Sequence, residues 1–464
     1  MDHALDRDRR LRLSVQIGAV VAALLLLLWA TDLFVQVRLL LADVFFVPRP
    51  VSGEVVIVAI DDASLAAYGR FSDWPRTLHA TLVQTLSEAG ARVIAFDILF
   101  AESAPGDDRL ARAIADARRS EARTRVVLPL VGVQRGIDVP GAVGYADVVF
   151  PATLLREAAA MVATVNVLPD SDGTIRWLPG FIDAQGETVP SLAVAAYLTQ
   201  RGVSVLTLPQ VVNYEPGVLH LPGERDVPVN DSGQMLINYF STPEEPAFPV
   251  YSFRDVIEGA VDPAVFADRI VLVGLMEQTA LTDSYPVPNS RSGALMAGVE
   301  IQANAVEMLL QDLTLHVQSP LSQAMTIIVL AVLASVIYGQ LSWRWILLVQ
   351  AGLILLVIVG GLLVFNLALL VTNLFHPLLA LLIPGPVTVF VYNVVGTRQR
   401  QRIEFLLRSA LAAADQRLNA TGIAASIADD LGRLLRGAAV EVTPGRRVKL
   451  DVPADAEIVL EGVI

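Results

Sequence analysis

The sequence contains no cysteine and almost no lysine. The absence of cysteine from all 464 residues excludes disulfides, cysteine-ligated zinc, iron–sulfur clusters and thiol nucleophiles. Lys449 is the only lysine, and it lies in neither a phosphate-binding loop nor a protein-kinase motif. The composition therefore argues against an ATPase or a kinase in this chain.

Charge is also scarce, and it is unevenly distributed. Charged residues make up 17% and hydrophobic residues 54% of the chain, which predicts a membrane component. Residues 43–320 contain 34 acidic and 18 basic residues, whereas the whole chain has a net charge of −13. Because a nucleic-acid-binding surface needs a basic face, nucleic acid is not an expected partner.

Four apolar stretches predict transmembrane helices, at residues 13–35, 321–343, 345–365 and 377–396. Each has about the 20 residues that a bilayer-spanning helix requires. Arginines precede the first stretch, and it is uncharged from Leu13 to Thr31. A cleaved signal peptide normally has a shorter apolar core, so we expect an uncleaved anchor.

Arginine positions predict the orientation of these spans. Residues 1–12, the turn at Arg344 and the tail 397–464 are all basic near the membrane, and basic flanks face the cytoplasm. The acidic segment 43–315 is then expected outside the cytoplasm.

The pattern within this segment predicts an α/β domain. Residues 54–60 and 92–96 are short β-branched runs, and residues 77–89 between them have helical periodicity, which predicts a βαβ unit in a parallel sheet. Further strands are expected at 126–129, 234–239 and 270–274, and further helices at 108–117 and 299–311, with antiparallel additions within 130–230. The predicted fold class is thus an α/β domain with parallel-sheet βαβ units, four α-helical spans and a short α+β tail.

A series of motifs in this segment resembles the CHASE type 2 domain. The matching residues are Val56 to Ser64, Trp74-Pro75-Arg76, His79-Ala80, Ala89 to Phe100, Asp107-Asp108, Asp172 to Arg176, Pro190 to Ala193, Ile270 to Gly274, Asp283 and Gly298 to Asn304. The family often has Trp-Pro-Trp-Pro-Arg where this chain has Phe71-Ser72-Asp73 before Trp74, so the loop is expected to differ there.

The resemblance implies an extracellular sensor domain of a bacterial transmembrane receptor, followed by three spans. It therefore predicts a multi-pass protein of the bacterial inner membrane, in contact with membrane lipid. Such a protein is expected to form a homodimer, to detect an unknown extracytoplasmic ligand and to signal to a cytoplasmic partner.

Candidate ligand-binding residues lie where predicted strands end. Asp61, Asp62 and Asp97 each follow a β-run, and Asp283 follows a third run by ten residues. Ligands of open α/β sheets gather at this edge, so these carboxylates could hold a hard cation, a polyol or a cationic ligand. Equally, Asp61 and Asp97 could cap the following helices and turns.

Trp74 and Arg76 are further candidates. They could present an aromatic ring and a cation to a ligand, with Arg76 as the counter-charge of the aspartates. Alternatively, Arg76 pairs with one of the aspartates for structural reasons alone.

Glu300 and Asn304 are candidates for signal transmission, because they share one face of the helix before the second span. Ordinary solvation of that face is the alternative. The sequence Asp170-Ser171-Asp172-Gly173 resembles part of an EF-hand loop, but Pro179 stands where the closing glutamate is required, which favours a plain turn.

The 67 residues after Thr397 are too few for a cyclase or kinase domain, and they contain neither a histidine nor a kinase catalytic-loop motif. A helix is expected at 398–418, as an ordinary amphipathic helix or a short coiled coil, and a second at 423–435. Residues 434–464 resemble a fragment of the prenylated-flavin-dependent decarboxylases, without its catalytic part.

We assign no catalytic residue, cofactor or metal. A non-enzymatic sensor is the preferred interpretation. The receptor part of a truncated adenylyl cyclase or kinase is the alternative, and an outward-facing hydrolase is least favoured because no nucleophile elbow is present.

Overall fold

A computed structural model of the chain describes residues 2–276, 283–415, 439–443, 447–452 and 456–461. The helices are α1 (Asp2–Ala30), α2 (Val35–Ala42), α3 (Asp62–Tyr68), α4 (Arg76–Glu88), α5 (Asp107–Ala117), α6 (Thr153–Ala158), α7 (Leu192–Gln200), α8 (Leu208–Val211), α9 (Phe253–Ile257), α10 (Gly298–Gln311), α11 (Pro320–Tyr338), α12 (Trp343–Ala368), α13 (Phe375–Leu382) and α14 (Pro384–Asp415).

The strands are β1 (Val55–Ile60), β2 (Val93–Phe96), β3 (Arg125–Arg135), β4 (Val143–Val149), β5 (Met161–Thr164), β6 (Trp177–Pro179), β7 (Phe181–Ala184), β8 (Glu187–Pro190), β9 (Asn213–Glu215), β10 (Val218–Leu221), β11 (Arg225–Pro228), β12 (Gln234–Leu236), β13 (Val250–Ser252), β14 (Ile270–Leu275), β15 (Ser284–Tyr285), β16 (Met296–Ala297), β17 (His316–Val317), β18 (Leu370–Val371), β19 (Ala439–Thr443), β20 (Arg447–Val452) and β21 (Ala456–Glu461).

The chain divides into two units. The helical unit comprises residues 1–34, 319–360 and 373–464, and the sheet unit comprises residues 35–318 and 361–372.

The main sheet of the sheet unit has the strand order β13-β1-β14-β2-β3-β4-β7-β8, with β5 paired to β3. The first five strands are parallel, and antiparallel pairing begins between β3 and β4. The predicted parallel sheet is therefore present. The strands β1 and β2 are not neighbours, however, because β14 enters between them from much later in the chain.

Burial explains why these strands are continuous apolar runs. All six residues of β1 and all four of β2 are buried, as expected for a parallel sheet that is covered on both faces. Alternate side chains of β1, β2, β3 and β14 form an apolar core with helices α4, α5 and α9. Helices α7 and α10 pack on the same strands. Gly274 allows α10 to approach closely, because a Cβ there would lie 2.6 Å from the Cβ of Val299.

Residues 130–230 contain antiparallel additions, namely β3 with β4, β7 with β8, and a separate sheet of β9, β10 and β11. The strand expected at 234–239 is shorter, and it pairs with β6 in a two-stranded sheet instead of joining the main sheet.

Residues 361–372 belong to the sheet unit because strand β18 pairs with strand β17, near the end of the segment 35–318. The His316 N–H donates to the Leu369 carbonyl at 2.9 Å, and the Gln318 N–H donates to the Val371 carbonyl at 3.1 Å. The ring of Phe365 lies 5.4 Å from that of Phe45, measured between centroids.

Within the described residues, four helices are long and apolar enough to cross a membrane: Arg10–Ala30, Pro320–Tyr338, Arg344–Ala368 and Phe375–Val394. They overlap the four stretches predicted from the sequence. In the helical unit, α1 and α11 share an apolar core around Leu25 and Ile327, and Trp29 Nε1 donates to Gln323 Oε1 at 3.0 Å.

The tail is described in part. Helix α14 continues to Asp415, so residues 398–415 extend the last apolar helix instead of forming a separate one. The helix expected at 423–435 lies outside the described residues. Strands β19, β20 and β21 form an antiparallel sheet.

Candidate functional site

Asp61 caps a helix at the end of β1. Its Oδ1 accepts hydrogen bonds from the N–H of Ser64 at 2.9 Å, the hydroxyl of Ser64 at 2.6 Å and the hydroxyl of Ser252 at 2.9 Å. A side-chain acceptor at this position satisfies a free N–H of the first helical turn. Asp62 is the first residue of α3 and is half-buried. Of the two roles considered for Asp61, the structure shows the cap.

Asp97 differs from Asp61 because its carboxylate is buried without a donor. It follows β2, its N–H donates to the Val273 carbonyl at 2.7 Å, and only 9% of the residue is exposed. No hydrogen bond among the described residues ends on its carboxylate oxygens. Burial, and after it the charge of Asp283, raises the pKa of Asp97 well above its ordinary value.

Asp283 is the neighbour of Asp97. Burial raises the pKa of Asp283, and a hydrogen bond from Tyr285 partly offsets this rise. A Cβ on Gly298 would lie 2.7 Å from Asp283 Oδ2, so only glycine leaves room for the carboxylate at the start of α10. The end of the parallel sheet thus holds the buried carboxylate of Asp97, the half-buried carboxylate of Asp283 and the hydroxyl of Tyr285.

Burial also raises the pKa of Tyr285, as do the charges of Asp283 and Asp97. A buried charge without a partner carries a large desolvation cost. The pair therefore favours a proton, a cation or a strong hydrogen-bond donor between the carboxylates.

Arg76 does not supply the missing positive charge, contrary to the sequence prediction. Its Nε lies 3.2 Å from Asp107 Oδ1, and its Nη2 donates to the Glu102 carbonyl at 3.3 Å. The guanidinium also lies 4.8 Å from the centroid of the Phe100 ring. Arg76 therefore orders the segment before α5, and its counter-charge is Asp107.

Trp74 belongs to the core. It is 5% exposed, and its Nε1 donates to the Gly69 carbonyl at 2.9 Å. Its ring contacts those of Phe253, at 5.0 Å between centroids, and His79, at 6.0 Å. Burial, and after it the charge of Arg76, lowers the pKa of His79 to about 3. Trp74 and a neutral His79 thus form the centre of an aromatic cluster.

Glu300 and Asn304 are buried, so a solvated face of α10 is excluded. Asn304 Oδ1 accepts from the N–H groups of Phe240, at 2.7 Å, and Ser241, at 3.2 Å. Glu300 Oε1 accepts from the Ser241 hydroxyl at 2.7 Å. Burial raises the pKa of Glu300, and the bond from Ser241 opposes that rise. The two side chains fasten α10 to the segment 240–241.

Arg176 forms an ionic cluster that the sequence prediction missed. Its guanidinium binds Asp43 through two contacts at 2.7 and 2.8 Å, Asp172 through two at 3.0 and 2.8 Å, and Asp170 through one at 2.9 Å. Only 3% of the Arg176 side chain is exposed. Asp43 directly follows α2, so this cluster attaches the start of the sheet unit to the loop at 170–174.

The loop at 170–174 is a turn and not an EF-hand. The Gly173 N–H donates to the Asp170 carbonyl at 2.9 Å, and the Thr174 N–H donates to Asp172 Oδ1 at 3.0 Å. The spacing of Asp172 and Arg176 by four residues was the available signal for the ionic cluster.

Metal ligation gains no support from side-chain geometry. In the part of the chain that the structure describes, no three or more His, Asp or Glu residues are grouped so that they could hold a metal ion.

Comparison with known proteins gives one match. The profile of the CHASE2 domain family matches residues 19–337, which is more than half of the chain. No curated protein and no solved structure shows a significant match.

Proposed function

The chain belongs to the CHASE2 domain family, and on that premise we propose that it is a transmembrane receptor of the bacterial inner membrane. In this proposal the sheet unit lies outside the cytoplasm and detects a stimulus there. The tail passes the signal to a cytoplasmic partner, and the receptor acts as a homodimer. The arginines beside the apolar helices support this orientation.

The observation that carries the proposal is the pairing of the buried carboxylate of Asp97 with the half-buried carboxylate of Asp283. Ligands of α/β sheets bind beyond the carboxyl ends of the parallel strands, and Asp97 lies there without a donor from any described residue. Asp61 at the same sheet edge caps α3 through its Oδ1. We therefore assign ligand recognition to Asp97 and Asp283, with Tyr285 beside them.

The ligand that fits this pair carries a positive charge or several hydrogen-bond donors. Such a ligand offsets the desolvation cost of both carboxylates, because an opposite charge or a donor favours their ionised form. An anionic ligand is disfavoured at this position for the same reason.

Signal transmission is assigned to the two polar connections of the sheet unit. Glu300 and Asn304 lie on α10, which begins beside Asp283, and they hold the segment 240–241. The Arg176 cluster holds Asp43, which follows the first apolar helix in the sequence. A change in the position of Asp283 can therefore be passed along α10 through its buried polar contacts.

The test is thermal unfolding of the full chain in lipid nanodiscs with Ca²⁺, Mg²⁺ and a panel of primary amines. We expect at least one of these species to raise the melting temperature of the wild type and not that of Asp97→Asn. The matched control is Asp61→Asn, which makes the same change of charge at the same sheet edge. Because asparagine also accepts hydrogen bonds at a helix N-cap, this variant should keep a melting temperature near that of the wild type and keep the response. If no species separates Asp97→Asn from Asp61→Asn, ligand recognition by Asp97 is refuted.

A further inference from the structure

A cleft in the sheet unit, separate from the carboxylate pair, has the character of a second binding site. It encloses about 210 Å³. Its floor is formed by buried apolar side chains, and charged side chains stand at its rim. The floor residues are Leu130, Met161, Val189, Pro190 and Leu208, and the rim includes Arg156, Glu187, Thr188 and Val205.

The cleft exists because two neighbouring strands do not complete their pairing. In the described structure β5 pairs with β3, and β8 pairs with β7. Only a single bridge, between Thr164 and Ser191, joins the end of β5 to the residue that follows β8. Continued in parallel, this register would place Met161 opposite Thr188. Among the described residues, however, no further bridge joins β5 to β8.

The size of the cleft suits a small apolar group. A dry protein cavity of about 150 Å³ is large enough for benzene, so 210 Å³ accommodates a branched aliphatic side chain. At the mouth, Val205 is 53% exposed. An occupant of the cleft would therefore also bury apolar surface that is now in contact with water.

The rim carries one cation and one anion with unused hydrogen-bonding capacity. Arg156 Nη2 lies 3.4 Å from Glu187 Oε2, which is a long single contact between exposed side chains. Such a pair contributes little to stability. The Arg156 guanidinium lies 4.1 Å from the centroid of the Phe150 ring, which orients it and leaves further N–H donors for a carboxylate.

We propose that this cleft binds a free apolar α-amino acid. The side chain of the amino acid lies among Leu130, Met161 and Val189. Its carboxylate accepts hydrogen bonds from Arg156, and its ammonium donates to Glu187. This assignment uses both charges of the rim, and each is matched by a ligand group of opposite sign. It shares no residue with the Asp97 site.

The methionine methyl groups provide a direct measurement. The chain has seven methionines, so the full-length protein in nanodiscs, with ¹³C-labelled methionine methyls, gives a simple spectrum. The variant Met161→Leu assigns the Met161 signal. We expect L-leucine to shift this signal saturably and to leave those of Met235 and Met308 in place. Leucinol, which lacks the carboxylate, and isocaproate, which lacks the ammonium, should each bind at least roughly tenfold more weakly.

The variants Arg156→Gln and Glu187→Gln are expected to weaken leucine binding by a similar factor, roughly tenfold. The matched control is Arg119→Gln, which breaks another exposed ion pair, with Asp116, and should change nothing. Asp97→Asn should also leave leucine binding unchanged, which separates this proposal from the proposed receptor site. Unchanged Met235 and Met308 signals show that each variant is folded.

Three results would overturn the proposal. The first is a Met161 signal that leucine does not move. The second is a shift of equal affinity with leucinol or isocaproate. The third is a leucine affinity that survives Arg156→Gln.

Discussion

Replacing Arg176 with methionine should destabilise the sheet unit strongly, because three carboxylates lose their shared partner. The five contacts of the guanidinium join Asp43, Asp170 and Asp172. Removing one partner of a buried ion pair costs about 3–5 kcal/mol. The three carboxylates are 15–24% exposed and recover some hydration, so we expect about 3 kcal/mol.

The pH dependence of this deficit follows from the pKa values. In the wild type, burial raises the pKa of Asp43 and of Asp170 more than Arg176 lowers it. Although burial also acts on Asp172, hydrogen bonds from Arg176 and Thr174 hold the pKa of that carboxyl below its usual value. The Asp172 contribution is therefore present at neutral pH, and it is lost as the pH falls through its folded pKa.

Without Arg176 the folded pKa values of all three carboxyl groups rise above their wild-type values, because each group loses a hydrogen bond and the charge of the guanidinium. Their mutual repulsion disappears as they become protonated, so acid relieves the variant at all three carboxylates. In the wild type acid relieves Asp43 and Asp170, whereas the lowered pKa of Asp172 opposes that gain. The difference in stability between the two proteins should consequently shrink as the pH is lowered from neutral to about 4, near the ordinary pKa of aspartate.

The assay is thermal unfolding of the full chain in nanodiscs at a series of pH values. A loss of about 3 kcal/mol corresponds to a fall in melting temperature of roughly 6 °C or more. Arg176→Lys should recover only part of it, because an ammonium cannot reproduce the planar, bidentate contacts. Arg119→Met, which removes an exposed arginine, is the control and should leave the melting temperature unchanged. A melting temperature of Arg176→Met equal to that of the wild type, or a deficit that grows in acid, would refute the reasoning.

Three further predictions concern single side chains of the sheet unit and are read from melting temperatures. Asp97→Asn should stabilise the protein at pH 7–8 by roughly 1–3 kcal/mol. In the wild type the raised pKa of Asp97 makes stability fall as the pH rises, and the variant should show less of this fall. No gain in stability at neutral pH would contradict a cost of burying the ionised Asp97 carboxylate. Glu300→Gln keeps an acceptor for the Ser241 hydroxyl and should lower stability only slightly. Asn304→Ala leaves the buried N–H groups of Phe240 and Ser241 unpaired and should cost about 1–3 kcal/mol of stability. Equal losses of stability in the two variants would argue against these hydrogen bonds as the cause. Trp74→Ala should cost about 3–5 kcal/mol, and a smaller effect than that of Asp61→Asn would contradict the place of Trp74 in the core.

The sequence was informative where structure depends on neighbouring residues. The apolar runs of β1, β2 and β14 and the periodicity of α4 and α10 predicted those elements, because burial on both faces of a parallel sheet leaves a continuous apolar pattern. The cap role of Asp61 was among the alternatives, since it depends only on the three residues that follow.

The sequence was uninformative where contacts join distant segments. No local pattern shows that β14 lies between β1 and β2. Nor does any local pattern show that Arg76 pairs with Asp107, 31 residues away at the start of α5. Glu300 and Asn304 have the spacing of a solvated helix face, yet segment 240–241 covers them. Asp43 and Arg176 are separated by more than a hundred residues, so only the folded chain reveals their contact.

The location of the sheet unit is the claim on which the receptor proposal depends most. It can be measured with an enzyme reporter that is active only after export, fused after Asp312 in one fusion protein and after Arg402 in a second, each within the full membrane-inserted chain. The proposal predicts activity from the fusion after Asp312 and none from the fusion after Arg402. Activity after Arg402, or none after Asp312 with the fusion protein present in the membrane, would contradict it.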